Sequence, residues 1–221
     1  MELTIATIVA LLPIINPFSA APLFLAITHG YSKEERREQS RRAVIYMLCI
    51  LIMSLIGGRF VMEFFGLSLP GLRIAGGILV AGLGFSMLYP KDASAPLVDP
   101  SLEVLRKRDV AFIPLAMPTL AGPGSISVTL GLTSLVKSGW DLLYIIVGII
   151  AVGITVLITL RVSTKLVRVF GESGLQAMTK IMGFILLCIG IQFIVNGIIG
   201  VASSPELIKG ILETIHRVHP L

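Results

Sequence analysis

Two apolar runs of this chain each contain three prolines at the same spacing. The prolines of the first run stand at positions 13, 17 and 22 and those of the second at 114, 118 and 123, so each lies 101 positions before its counterpart. Proline removes a backbone donor and clashes with the preceding turn, and Gly122 and Gly124 beside the last proline weaken a helix further. We therefore predict two helices that are each broken near the middle, in two halves of a duplicated chain.

The composition places these runs in a membrane. The chain has 221 residues, of which 55% are hydrophobic and 14% charged, whereas a soluble domain has about 25% charged residues. Six apolar runs approach the roughly 20 residues that cross a bilayer. They are about Leu3–Ile27, Ala43–Phe65, Leu72–Tyr89, Val110–Val136, Leu142–Leu160 and Met178–Val201. The first run lacks the basic start of a signal peptide, so we expect it to be retained. The predicted fold is an all-α membrane protein with six transmembrane helices.

The basic residues predict the orientation of these spans. Thirteen of the 18 Lys and Arg residues fall in the predicted loops at 30–42, 90–109 and 161–180, and five fall elsewhere. Because basic loops stay cytoplasmic, both termini are expected on the non-cytoplasmic side of the cell (inner) membrane. The same distribution explains the net charge of +5 without nucleic acid. The lipid bilayer is the predicted partner.

The repeat extends beyond the prolines. Residues 73–79 in the third span resemble residues 180–186 in the sixth, and Phe65-Gly66 after the second span resembles Phe170-Gly171 after the fifth. Each half holds three spans, an odd number, so the second half should be inserted upside down. We predict one membrane domain with inverted three-helix repeats at 3–89 and 110–201, a cytoplasmic linker at 90–109 and a C-terminal tail at 202–221.

Inverted repeats with broken helices at matching positions are the sequence mark of secondary transporters, whose sites lie where the breaks meet. The alternative is that proline and glycine merely kink these helices, which membrane helices tolerate. The pairing of the breaks favours a site. No Asp, Glu, Lys, Arg or His lies in the middle of a span, so a charged relay of the kind found in pumps is not expected.

The residues near the two breaks suit a small ligand without a net charge. A broken helix offers N–H groups that suit a carboxylate and carbonyl groups that suit an ammonium, which together suit a zwitterion. The candidate binding residues are Asn16, Pro17, Ser19, Ala20, Ala21, Thr119, Ala121, Gly122, Gly124 and Ser125. Each Ser or Thr could instead bond a carbonyl of its own helix. Asn16 is the strongest candidate, because a membrane-buried amide needs partners.

Four motifs resemble those of a known family. P-x-x-N-P at 13–17, P-G-L-R-I-A-G-G at 70–77, I-P-L-A-M-P-T-L-A-G-P-G at 113–124 and the run at 182–197 look like the MarC family. That family is also classed as small neutral amino acid transporters, so the resemblance implies a six-span plasma-membrane protein with a ligand such as glycine or alanine. No cofactor is expected. The exact substrate, a coupling H⁺ or Na⁺ and the oligomeric state stay open.

Two other functions fit parts of the sequence. A channel for a small solute shares the composition, although breaks in both halves favour alternating access. An intramembrane serine protease could use Ser125 in G-P-G-S, but a nucleophilic serine needs a base within hydrogen-bond reach. Because no base lies mid-span, the sequence predicts no catalytic residue, no metal site and no enzyme activity.

Overall fold

A computed structural model describes residues 1–89 and 110–204, and every regular element in these ranges is a helix. The predicted linker, 90–109, lies outside the described residues, and so does the predicted tail from residue 205 onward. In chain order the helices are α1 (Glu2–Ile15), α2 (Pro17–Ile27), α3 (Lys33–Phe64), α4 (Leu69–Leu88), α5 (Ala111–Leu120), α6 (Pro123–Leu132), α7 (Gly139–Gly171) and α8 (Ser173–Ala202). Within the described part, four helices are long and apolar enough to span a membrane. The number rises to six if the bent pairs α1–α2 and α5–α6 each count as one span.

The first predicted break is confirmed at Asn16. Its backbone adopts a left-handed conformation (φ 40°, ψ 72°), which asparagine tolerates better than most residues. The N–H of Asn16 closes α1 on the Leu12 carbonyl at 3.0 Å. Pro17 then opens α2, a position where its missing N–H would have had no helical partner. The axes of α1 and α2 differ by 44°.

The second predicted break is also confirmed, and it is more irregular than the first. α5 has wide turns, in which the N–H of Ala121 donates to the Ala116 carbonyl, five residues earlier, at 2.7 Å. Ile113 and Met117 have extended backbone angles inside α5. Both precede a proline, whose ring disfavours the helical region for the residue before it. α6 follows at 61° to α5, and one short turn, Thr133–Leu135, continues it.

Two of the predicted loops were wrong in extent, because most of 30–42 and of 161–180 is helix. α3 begins at Lys33, and its start is fixed by a capping box in which Ser32 and Glu35 each accept the other's N–H. α7 continues to Gly171, where the backbone turns left-handed at φ 64°. Neither residues 33–42 nor residues 161–170 include a proline or glycine, and Lys, Arg and Glu favour helix. The basic residues of these two stretches therefore lie on the ends of α3 and α7 rather than in loops.

The core draws buried side chains from all the helices, and α3 and α7 contribute the largest shares. Met47 and Leu51 of α3 and Ile145 and Ile149 of α7 are fully buried. α7 also packs on α1, where its Gly148 meets Thr7. The outer surface is apolar as well, with many exposed Ile, Val and Phe side chains. Such a surface is rare on a soluble monomer and suits contact with acyl chains.

α4 and α8 approach each other most closely, along four glycines that we call the glycine seam: Gly77, Gly84, Gly183 and Gly190. A Cβ on Gly84 would lie 2.6 Å from the Gly183 carbonyl oxygen, and one on Gly190 would lie 2.7 Å from that of Gly77. These distances leave no room for a methyl group. The two helices therefore run antiparallel with their backbones in contact, as small residues allow in membrane proteins.

Candidate functional site

The two broken spans pack against each other in a crossed arrangement, with α1 on α6 and α2 on α5. The end of α1 meets the beginning of α6, because a Cβ on Gly124 would lie 3.5 Å from Cγ2 of Ile14. The same Cβ would lie 2.9 Å from Cδ1 of Leu83 on α4. The end of α1 and the start of α6, which flank the two breaks, therefore share one region of the interior.

A partly buried polar cluster lies at the first break, and we call it the Asn16 cluster: Asn16, Ser19, Met87 and Thr179. Asn16 is only 4% exposed. Its Nδ2 donates to Ser19 Oγ at 2.6 Å and faces Met87 Sδ at 3.9 Å. Ser19 Oγ shares a hydrogen bond of 2.9 Å with Thr179 Oγ1. The cluster thus joins the start of α2 to α4 and α8 through side chains.

The chemistry of the Asn16 cluster is hydrogen bonding without charge. Amide and hydroxyl groups each offer a donor and an acceptor, so the cluster can meet either end of a polar ligand. None of its members is an acid or a base. Within the described residues, no group of three or more His, Cys, Asp or Glu could hold a metal ion.

At the second break, the polar side chains bond to their own backbone. Thr119 Oγ1 donates to the Pro114 carbonyl at 2.7 Å, and Ser125 Oγ donates to the Gly122 carbonyl at 3.0 Å. Pro118 has no N–H to donate to the Pro114 carbonyl, and the Thr119 hydroxyl supplies that donor. The Gly122 carbonyl also accepts the Ile126 N–H at 3.1 Å. The alternative interpretation of these side chains, as local partners of their own helix, therefore describes this structure.

The two breaks differ in how the second helix begins. The start of α2 is capped, since Asn16 Oδ1 accepts the Ser19 N–H at 3.4 Å. The start of α6 follows Gly122 and has no side-chain cap. The first N–H groups of a helix have no partner inside it. The polar groups without a side-chain partner at the start of α6 are thus its backbone N–H groups. The hydroxyls of Thr119 and Ser125 are already bonded to carbonyls.

The small residues of the candidate site are tightly packed. Ala20, Ala21 and Ala121 are buried, as is Pro17. A Cβ on Gly122 would lie 2.5 Å from the carbonyl oxygen of Pro118 in its own segment. Close packing therefore accounts for glycine at 122 whether or not a ligand binds there.

Met87 and Thr179 are members of the cluster that the sequence did not indicate. The predicted site was confined to the first and fourth spans, whereas these residues lie on α4 and α8. Thr179 stands 160 positions from Ser19. A lone threonine near the start of an apolar helix has no local pattern that distinguishes it from one bonded to its own helix. Only the packing of α2 on α8 reveals the pair.

The comparison with known proteins agrees with the motifs. The family described as "MarC family integral membrane protein" matches residues 1–202. The chain belongs to the MarC family. A Citrobacter koseri protein named "UPF0056 inner membrane protein MarC" is 37% identical over 213 residues, covering 89% of this chain and 94% of that relative. The protein of the same name from Escherichia coli O1:K1 is 38% identical over the same shares.

Membership of the MarC family places this fold in a membrane. Its relatives here are named inner membrane proteins, and the described residues hold four to six candidate spans. This MarC-family chain is therefore a multi-pass membrane protein. No solved structure matches it significantly. The names of the relatives give no substrate.

Proposed function

We propose that this protein is a secondary transporter that binds a small neutral amino acid between its two broken spans. The observation that carries the proposal is that two bent helix pairs pack on each other with their breaks in one region. Transporters built from inverted repeats place their sites between such discontinuous helices. The family resemblance of the motifs adds the substrate class, glycine- or alanine-like zwitterions.

The ends of the second helix in each half support the inverted repeat. α3 begins with the Ser32–Glu35 capping box, and α7 begins with a capping box formed by Ser138 and Asp141, each member 106 positions later. α3 is followed by Gly66 at φ 62°, and α7 ends on Gly171 at φ 64°, 105 positions later. Two helices that start and stop with the same local chemistry fit two copies of one unit.

The glycine seam supports a two-fold axis between α4 and α8. The Cβ of Gly84 would face the Gly183 carbonyl and the Leu187 N–H, and that of Gly190 would face the Gly77 carbonyl and the Ala81 N–H. Shifting 77, 81 and 84 by 106 gives 183, 187 and 190, so the two sets of contacts are exchanged by one operation. A register of 106 fits these contacts better than the 107 suggested by residues 73–79.

The ligand in this proposal uses both breaks. Its carboxylate would meet the uncapped N–H groups that open α6, where the helix dipole favours an anion. Its ammonium would meet carbonyls at the end of α1 and the oxygens of Asn16 and Ser19. Because Gly124 now packs against Ile14 and Leu83, binding requires α6 to move away from them. Alternating access provides such a movement.

Counterflow in liposomes tests the proposal. Purified protein is reconstituted in vesicles loaded with one unlabelled amino acid, and uptake of the labelled compound is followed across a panel that includes glycine, alanine, leucine and glutamate. We expect saturable counterflow for the smallest neutral members only. An imposed pH or sodium gradient then shows whether H⁺ or Na⁺ is coupled. Absence of counterflow with every compound would contradict the proposal.

The two alternatives give different results in the same vesicles. A channel would pass solute without saturation and would show conductance at rates that no carrier reaches. A serine protease would need a base beside Ser125, whose hydroxyl instead donates to the carbonyls of Gly122 and Leu120. Cleavage of a membrane peptide that is lost in Ser125→Ala would favour the protease.

A further inference from the structure

One face of α7 forms an apolar ridge on the outside of the molecule. Val147, Ile150, Ile154 and Ile158 are all exposed, at successive spacings of three, four and four residues. That spacing places the four side chains above one another on a single helix face. In a membrane protein, such a ridge contacts acyl chains along its length.

Three cations continue this ridge without a change of face, and we call them the basic stripe: Arg161, Lys165 and Arg168. Arg161 follows Ile158 by three residues, and the further spacings are four and three. All three side chains are exposed. The apolar ridge therefore passes directly into a positively charged one.

The length of α7 sets the depth of the basic stripe. The predicted apolar span Leu142–Leu160 covers about 28 Å at a rise of about 1.5 Å per residue, close to the roughly 30 Å of a hydrocarbon core. Arg161 then lies at the edge of the core, and Arg168 lies about 10 Å further along the axis. Each headgroup layer is about 5–8 Å thick. The stripe thus crosses the layer that holds the phosphates.

No described side chain neutralises the cations of the basic stripe. Among the side chains that the structure describes, none forms an ion pair with any of the three. The start of α3 is different, because Glu38 pairs with Arg41 at 3.4 Å and with Arg42 at 2.8 Å. Three exposed cations at phosphate depth attract the anionic headgroups of the membrane.

We propose that the basic stripe binds the headgroup of an anionic phospholipid whose acyl chains lie along the apolar ridge of α7. The guanidinium groups of Arg161 and Arg168 can each donate two hydrogen bonds to phosphate oxygens, and Lys165 adds a positive charge between them. A second negative group, as in cardiolipin, would strengthen the contact. The site is independent of the proposed transport function and of the orientation of the termini.

Quenching by brominated lipids tests the proposal at this position. Trp140 is the only tryptophan of the chain. Trp140→Phe with Ile158→Trp moves the fluorophore to the last position of the ridge, beside Arg161. Replacing brominated phosphatidylcholine stepwise with phosphatidylglycerol gives the relative binding constant of the two lipids. We expect phosphatidylglycerol to be preferred, by up to about five-fold per cation, and this preference to fall towards one in the triple variant Arg161→Gln, Lys165→Gln, Arg168→Gln.

The start of α3 provides a matched control with the same loss of charge. In the same reporter background, Lys33→Gln, Arg37→Gln and Arg41→Gln together should leave the preference intact. An unchanged preference in the α7 triple variant would overturn the proposal, and so would an equal loss in the α3 triple variant. If inorganic phosphate abolished the preference when chloride of the same ionic strength did not, the stripe would be a site for a soluble anion instead. Should the α7 triple variant fail to reconstitute, Lys165→Gln alone, expected to lower the preference up to about five-fold, replaces it.

Discussion

Asn16 has two structural roles, one through its backbone and one through its side chain. The backbone holds a positive φ between α1 and α2, and the side chain caps α2 and bonds Ser19. Alanine at this position would lose the amide and would also resist the left-handed conformation. A change to glycine removes the amide and keeps the conformational freedom, so it isolates the chemical role.

Asn16→Gly should therefore fold and insert normally, because glycine replaces a helix N-cap at a cost of only a few tenths of a kcal/mol. If the amide contacts the ligand, binding should weaken by about 1–3 kcal/mol. The half-saturation concentration in the counterflow assay measures this change. Ser54→Ala is the control, since its hydroxyl bonds only the Ile50 carbonyl of its own helix. Equal transport by both variants would remove Asn16 from the site.

Thr179 offers a second test, because valine keeps its shape and removes its hydroxyl. Thr179→Val leaves Ser19 Oγ without its partner on α8. We expect a loss of about 0.5–1.5 kcal/mol in the free energy of unfolding, the usual net value of a hydrogen bond. Thr155→Val on α7 is the control, because that hydroxyl is exposed and bonds its own Ala151 carbonyl. Thermal unfolding in detergent would contradict the expectation if both variants melted together.

Among the secondary-structure elements, the prolines predicted the helix breaks better than the charged residues predicted the helix ends. The prolines located both breaks, since a missing N–H has the same consequence in any surroundings. The runs of Lys and Arg marked one end of the helices but not where each helix stopped. Ser32 with Glu35 is a capping signal that would have moved the start of α3 to Lys33. The partner of Ser19 depends on packing between distant segments, which no local pattern contains.

The glycine seam predicts opposite effects for two glycines of α4. Gly84→Ala would place its methyl 2.5 Å from the Leu187 nitrogen, so α4 and α8 have to separate. We expect a loss of about 1–3 kcal/mol in stability, as for other overpacked sites. Gly82→Ala meets nothing within 4 Å and should be neutral or stabilise the helix by up to about 1 kcal/mol. Thermal unfolding of the two variants, measured side by side, tests this difference. Equal melting temperatures would contradict the close packing of the glycine seam.

The start of α6 can be tested by adding a single methyl group. At Gly122 any side chain would meet backbone at 2.5 Å, so a loss of transport there would not report on a ligand. Gly124→Ala meets only the flexible end of Leu83 closer than 3 Å, and it should fold. We expect at least about a ten-fold loss of counterflow, or about 1.4 kcal/mol. Gly131→Ala, with nothing within 4 Å on the same helix, should transport normally.

The whole molecule has chemically different ends. Exposed Phe60, Phe64 and Trp140 lie where α3 ends and α7 begins. The opposite ends of the same two helices carry the basic stripe and the charged start of α3. Aromatic side chains favour a membrane interface, and Lys and Arg favour the cytoplasmic side. The predicted orientation places the basic ends of α3 and α7 on the cytoplasmic side.

Reporters placed after residue 204 and at Gly30 test this orientation. Alkaline phosphatase fused after residue 204 should be active, and green fluorescent protein at the same point should stay dark, because both proteins report the side on which they lie. The same pair inserted at Gly30 should give the reverse result. Fluorescence at the C-terminal point would contradict the predicted orientation. The same side for Gly30 and residue 204 would imply an even number of spans between them and would also contradict the inverted repeat.

The glycine seam has a mechanical consequence. With backbone atoms of α4 and α8 in contact at both ends of the seam, a slide of one residue, about 1.5 Å, would drive side chains into backbone. In the proposed transport cycle, α4 and α8 therefore move together as one rigid unit. The bends at Asn16 and at Gly122 are then the places where the broken spans change their angle. A cross-link between α4 and α8 should leave counterflow intact, whereas one between Ser19 and Thr179 should stop it.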